Sequence, residues 1–212
     1  MFRLPSIQEL AIVIPVFLLA LTIHEFAHGW AANRLGDPTA RLQGRLTLNP
    51  FAHLDIIGTI AIAIIGLGWA KPVPVDSRYL RNPQRDMILI AAAGPASNLI
   101  LAVLAAFAAQ MIPWRHFLTQ QSEWLIVPIV NVVETSVYVN VILAVFNLLP
   151  IPPLDGSRIV SGLLPARHAI SYGRLEPYGF IIIFLLFYTG AMRPVFRIAA
   201  HTVTPALFGL WG

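Results

Sequence analysis

The chain has 212 residues, of which 57% are hydrophobic and 11% charged, and its mean hydropathy is +0.73. So apolar a chain is no ordinary soluble domain and reads as an integral membrane protein. Its 14 Lys and Arg outnumber 10 Asp and Glu for a net charge of +4, but the cations are strewn between apolar runs, which excludes a nucleic-acid-binding face; the absence of cysteine excludes disulfides, thiolate metal sites and cysteine nucleophiles.

Charges, glycines and prolines bound the apolar runs. Leu10 to Ala32, Met87 to Ile112, Leu125 to Leu149 and Pro177 to Met192 are each near spanning length. Ile56 to Ala70 is apolar but short, about 22 Å as a helix, and contains Gly58, Gly66 and Gly68. The tail from Val195 to Trp211 holds Arg197, His201 and Pro205 and is compatible with a short span or an interfacial segment. Arg3 before an apolar core resembles a signal peptide superficially, yet polar residues follow directly, so the run is expected to be retained. These features predict an all-α polytopic membrane protein of about four to six transmembrane helices, organised as a single membrane-embedded domain over residues 1–212.

The first run contains the segment "HEFAH", His24 to His28. Residues four apart on a helix lie about 400° around, so His24 and His28 share a face one turn apart and can bind one cation together. In the H-E-x-x-H pattern the imidazoles hold zinc, and the glutamate, here Glu25, stays unligated as general base for the hydrolytic water. Three ionisable groups within an apolar run mark a functional site rather than satisfied structural residues.

A catalytic zinc needs a third protein ligand and an open position. Two clusters compete: "NPFAHLD", with His53 and Asp55, and "NLLPIPPLDG", with Asp155. The second directly follows a long run, and Pro150, Pro152 and Pro153 forbid a regular helix just before the acid, so Asp155 is preferred. The alternative for Asp155 is an N-cap of a short helix over Gly156 to Leu164, and for His53 and Asp55 a turn or a pair supporting the ligands from behind. Glu134, in the third long run, is expected to be a partnered structural carboxylate.

Taken together, "HEFAHGW", "NPFAHLD", "AGPASN" and "FNLLPIPPLDG" resemble the site-2 protease family of intramembrane zinc metalloproteases, in its compact bacterial form, over nearly the whole chain from about Leu21 to about Leu186. The resemblance implies one catalytic Zn2+ held by His24, His28 and Asp155, with Glu25 as catalytic base. It also implies that Gly94, Pro95, Asn98 and Asn147 support the site. Family members often carry proline after the aspartate of "NPxxHxD", where this chain has Ile56.

Topology offers a separate test. If Ile56 to Ala70 crossed the membrane, the histidines and Asp155 would emerge on opposite sides. A re-entrant or short-strand loop there brings them to one depth. The re-entrant arrangement also places ten of the fourteen cations on one side, whereas the all-crossing arrangement divides them eight to six. The positive-inside rule then makes the ten-cation side cytoplasmic, with the zinc site toward it, in a bacterial inner membrane.

The expected activity is endoproteolysis within or near transmembrane segments of membrane-protein substrates, as in regulated intramembrane proteolysis. Asn98 and Asn147 are candidates either to bind substrate or its oxyanion, or to join helices. The substrate is expected to unwind and to pair with extended backbone near "NLLPIPP" or at an edge of Leu46 to Val75. The competing reading is a zinc-binding membrane scaffold or transporter without hydrolysis, but no second half echoes the first as transporter repeats do.

Overall fold

The computed structural model of the protein describes residues 6–58, 69–111 and 123–203. Among the described residues the structure is helical, with one isolated β-bridge, Leu54 to Ala70. Four runs are long and apolar enough to cross a bilayer: Ile7–Leu35, Pro83–Met111, Trp124–Asn147 and Ala166–Tyr188. The expected polytopic all-α membrane architecture is therefore present. Leu19, Ile100, Leu104 and Phe184 lie exposed on these runs, as side chains facing lipid do.

Helix α1 (Ile7–Leu35) opens on a capping box, in which Ser6 Oγ accepts from the Glu9 N–H and Glu9 Oε2 accepts from the Ser6 N–H. It closes on Gly36, whose φ of 113° is in the left-handed region that glycine alone enters without strain. At about 43 Å it outspans the hydrocarbon core, which leaves Arg34 free to lie over the Trp30 ring near the helix end. A short helix α2 (Thr39–Leu42) follows. Helix α3 (Pro83–Met111) runs antiparallel to α1, because Ile90 meets His28 and Asn98 meets His24. Helix α4 (Glu123–Asn147) reverses again against α3, meeting it through small and branched residues: Ala102, Ala106, Val137 and Val141 are fully buried together. Small side chains let membrane helices approach closely where no hydrophobic drive exists between them.

The chain between α1 and α3 leaves and returns on one side. Arg34 and Gly36 at the end of α1 line a cavity of about 250 Å³ with Arg81, Asn82 and Asp86 at the start of α3. Residues 59–68 lie outside the described residues, yet the Leu54–Ala70 bridge and the Lys71 N–H bond to the His53 carbonyl bring the two ends of that run together. The re-entrant expectation rested on the need for one shared metal and on the division of the cations, and the meeting of the run's two ends agrees with it.

Helix α4 stops at Asn147, two residues before the apolar run does, because the prolines that follow cannot continue it. Helix α5 (Asp155–Leu163) packs on α3, where Gln84 Nε2 donates to the Gly162 carbonyl. A Cβ on Gly162 would stand 2.4 Å from Ile88 Cγ1, so the glycine makes room for the Ile88 side chain to seat against the α5 backbone. The fourth apolar run is broken into α6 (Ala166–Gly173), a 3₁₀ turn and α7 (Gly179–Tyr188). Helix α8 (Arg193–Ile198) follows, and of the tail from Val195 to Trp211 the last eight residues lie outside the described set. Glu134 is exposed on α4 and takes part in none of the ion pairs among the described residues.

Candidate metal centre

His24 and His28 project from the buried face of α1 together with Ala20, Glu25 and Ala32. Their rings meet edge to face, with centroids 4.6 Å apart. Behind each ring stands an oxygen. His28 Nδ1 lies 2.7 Å from the Ile90 carbonyl oxygen, and His24 Nδ1 lies 2.6 Å from Asn98 Oδ1.

These partners decide which ring nitrogens carry protons. A backbone carbonyl can only accept, so His28 must donate from Nδ1. The Asn98 amide nitrogen points at the Ala20 carbonyl at 3.2 Å and at Asn140 Oδ1 at 2.9 Å, which turns its oxygen toward His24. His24 therefore also donates from Nδ1. In the neutral rings both Nε2 atoms are left as lone pairs, and they face each other at 3.0 Å.

Asp155 completes the group. Its Oδ2 lies 3.1 Å from His24 Nε2 and 3.2 Å from His28 Nε2, and this buried oxygen receives no hydrogen bond. Local sequence explains its placement. Leu148 to Leu154 form a non-helical connection, and α5 restarts at Asp155, whose N-cap is Leu154. Asp155 is thus the first residue of α5 rather than its cap, so its carboxylate is not spent on the helix's own N–H groups. A Cβ on Gly156 would sit 2.2 Å from the Leu148 carbonyl oxygen, which is why the acid is followed by glycine. From the other side, Tyr172 of α6 donates to the Pro150 carbonyl at 2.7 Å, and Gly179 of α7 lies directly against Pro152.

The donor set fits zinc. Three ligands of a tetrahedral zinc with bonds of 2.0–2.1 Å stand about 3.3 Å from one another, close to the separations found here. Two neutral imidazoles and a carboxylate, with no thiolate, are also a donor set known for catalytic zinc. Room is kept by Gly94: a Cβ at that position would come within 2.4 Å of His28 Nε2 and 2.6 Å of His24 Nε2. Among the described residues His24, His28 and Asp155 form the one group placed to hold a metal ion.

Glu25 lies beside this group, buried, with Oε2 accepting the Val73 N–H at 2.9 Å. The loop returning from Ala70 thus reaches α1 at the glutamate. A Cβ on Gly29 would lie 3.1 Å from Val73 Cγ1, so Gly29 seats the same loop one turn on. Asp37, fully buried just past α1, accepts the Thr39 N–H at 2.9 Å and the Asp76 N–H at 2.7 Å and ties the far end of that loop down. Hydrogen bonds from Arg78 hold the Asp76 carboxyl below the usual carboxylate range.

Other sequence candidates stand apart from the metal group. His53 is fully buried, with Nε2 bonded to the Thr47 carbonyl at 2.9 Å, and Asp55 accepts the Gly58 N–H at 2.8 Å; both shape the loop. Asn147 Nδ2 donates to the Leu143 carbonyl of its own helix. Sequence reasoning missed Asn140, Asp37, the Ile90 carbonyl and the Val73 N–H. The last two are backbone groups with no residue signature, whereas Asn140 was visible as an amide inside an apolar run.

The family model of Peptidase family M50 matches residues 12–124 and 116–189 of this chain. The chain belongs to peptidase family M50. This M50 chain is 40% identical over 172 residues to YwhC of Bacillus subtilis, covering 81% of this chain and 78% of that protein. It is 30% identical over 187 residues to Rip2 of Mycolicibacterium smegmatis, covering 86% and 68%. Both relatives carry zinc-metalloprotease names. No solved structure matches the M50 chain.

Proposed function

We propose that this M50 protein is an intramembrane zinc endopeptidase in which His24, His28 and Asp155 hold one zinc ion and Glu25 is the general base of an HExxH site. The observation that carries this reading is the convergence of two Nε2 lone pairs and a carboxylate oxygen with no proton donor between them. Three acceptors at 3.0–3.2 Å repel one another unless a cation lies among them. Membership of M50 and the names of its relatives supply the chemistry such a cation serves.

When bound, zinc acidifies a water and polarises a scissile carbonyl. The chain's own residues do the rest. Glu25 is held by Val73 through Oε2, which leaves Oε1 to take the proton of the attacking water and to return it to the departing amide nitrogen. Asn98 and Ile90 hold the two imidazoles in orientation, and Gly94 keeps the space beside their Nε2 atoms clear.

A substrate helix must unwind to expose a peptide bond, since in lipid its amides are paired internally. Non-helical backbone at Lys71 to Val75, next to Glu25, is suited to receive such a strand; Pro72 and Pro74 carry no N–H, so it offers their carbonyls to substrate amides. The substrate is accordingly a transmembrane protein, and lipid surrounds the enzyme. We place the site toward the cytoplasmic face of a bacterial inner membrane, by the excess of cations on that side.

The test is zinc content and cleavage of a model transmembrane substrate by wild type, Glu25→Gln and Asp155→Ala. The protease reading predicts that Glu25→Gln keeps zinc and loses cleavage, and that Asp155→Ala loses both. Zinc bound by wild type with every substrate intact would instead favour a scaffold or transporter.

A further inference from the structure

Between the metal group and the outer part of α4 runs a chain of buried amides. Asn98 on α3 and Asn140 on α4 are 0% and 2% exposed, in a region otherwise lined by alanine and valine. Asn98 Nδ2 donates to Asn140 Oδ1 at 2.9 Å, and Asn140 Nδ2 donates to the Ser136 carbonyl at 2.9 Å, with Ser136 Oγ at 3.4 Å. Every bond in this chain has one possible direction. The Ser136 carbonyl accepts and never donates, so Asn140 must turn its nitrogen to Ser136 and its oxygen to Asn98. Asn98 must then turn its nitrogen to Asn140 and its oxygen to His24. Inverting Asn140 would set two NH2 groups against each other in a site without water to relieve them.

We propose that Asn140 is a positioning residue for the metal centre: acting through Asn98, it fixes the His24 tautomer so that Nε2 is presented to zinc as a lone pair. This rests on the zinc reading above. Ala20 also orients Asn98, but at 3.2 Å it is the longer of the two bonds and uses one of two N–H groups. Asn140 satisfies the second, which would otherwise be left unpaired in hydrocarbon, free to drive the amide over. His28 needs no such relay, because a backbone carbonyl holds it directly. The asymmetry assigns α4, which contributes no ligand, a part in metal binding.

The experiment measures zinc affinity by competition with a chromophoric chelator, using the full-length protein in detergent. Asn140→Leu is expected to weaken zinc binding by about tenfold, the lower end of what removing a group behind a metal-bound histidine does. Asn140→Asp, a carboxylic acid at this depth, keeps an acceptor for Asn98 and a donor for Ser136 and is expected to bind zinc as wild type does. In an Asn98→Ala background Asn140→Leu should add nothing, because the relay is already cut; a merely structural residue would add its full effect. Asn140→Ala serves in the same comparison if Asn140→Leu does not fold. Wild-type affinity in Asn140→Leu, additivity with Asn98→Ala, or failure of Asn140→Asp to restore binding would each overturn the proposal. If wild type itself bound no zinc, the metal reading would fall and this inference with it, a result distinct from the other three.

Discussion

Val73 donates its backbone N–H to Glu25 Oε2 at 2.9 Å, across 48 residues of chain. The bond joins the returning loop to the proposed catalytic base, and proline is the one substitution that removes its donor. Val73→Pro is expected to keep zinc content and to lower cleavage by about 10- to 100-fold, as loss of a hydrogen bond to a charged group of about 1.5–3 kcal/mol implies. Paired zinc analysis and cleavage assays check it; unchanged cleavage would detach the loop from Glu25.

Gly94 touches the metal group through the side chain it lacks. Gly94→Ala puts a methyl group within 2.6 Å of both Nε2 atoms and should abolish stoichiometric zinc. Gly173→Ala is the control, since a Cβ there meets nothing within 4 Å. Elemental analysis of the two purified variants decides between steric exclusion and a general intolerance of substitution.

Asp37 should matter for stability and not for metal. It is fully buried and holds the N–H groups of Thr39 and Asp76, so Asp37→Ala leaves two partly buried donors without that partner. The expected cost is about 1–3 kcal/mol in all, since the donors are only partly shielded from water, seen as a lower thermal midpoint in detergent with zinc still bound. A midpoint equal to that of wild type would show that the loop is held elsewhere.

Chelation provides a test that involves no substrate. A ligand present at a thousand times its Kd stabilises the folded state by about 4 kcal/mol. Stripping zinc should therefore lower the melting midpoint of wild type and leave that of Asp155→Ala, already without zinc, unmoved. Equal shifts in the two proteins would place the ion outside the Asp155 group.

Much of this protein could be read before folding was considered. Hydropathy gives the membrane setting, and the spacing of His24 and His28 gives two ligands on one helix face, because both signals are local and periodic. Prolines 150, 152 and 153 announce the break that frees Asp155, since the ring's missing N–H acts on the residue that bears it. What stayed hidden depends on contacts between distant segments. Nothing in the chain's local chemistry says that the Ile90 carbonyl lies behind His28, that the Val73 N–H reaches Glu25, or that Asn140 stands behind Asn98. Backbone groups are the same at every residue, and which of them meets a given side chain is decided by helix register and loop return. The sequence by itself determined the ligand types and their setting; only the packing of α1 against α3, α4 and α5 determined that they meet at 3.0–3.2 Å and which ring nitrogens carry their protons.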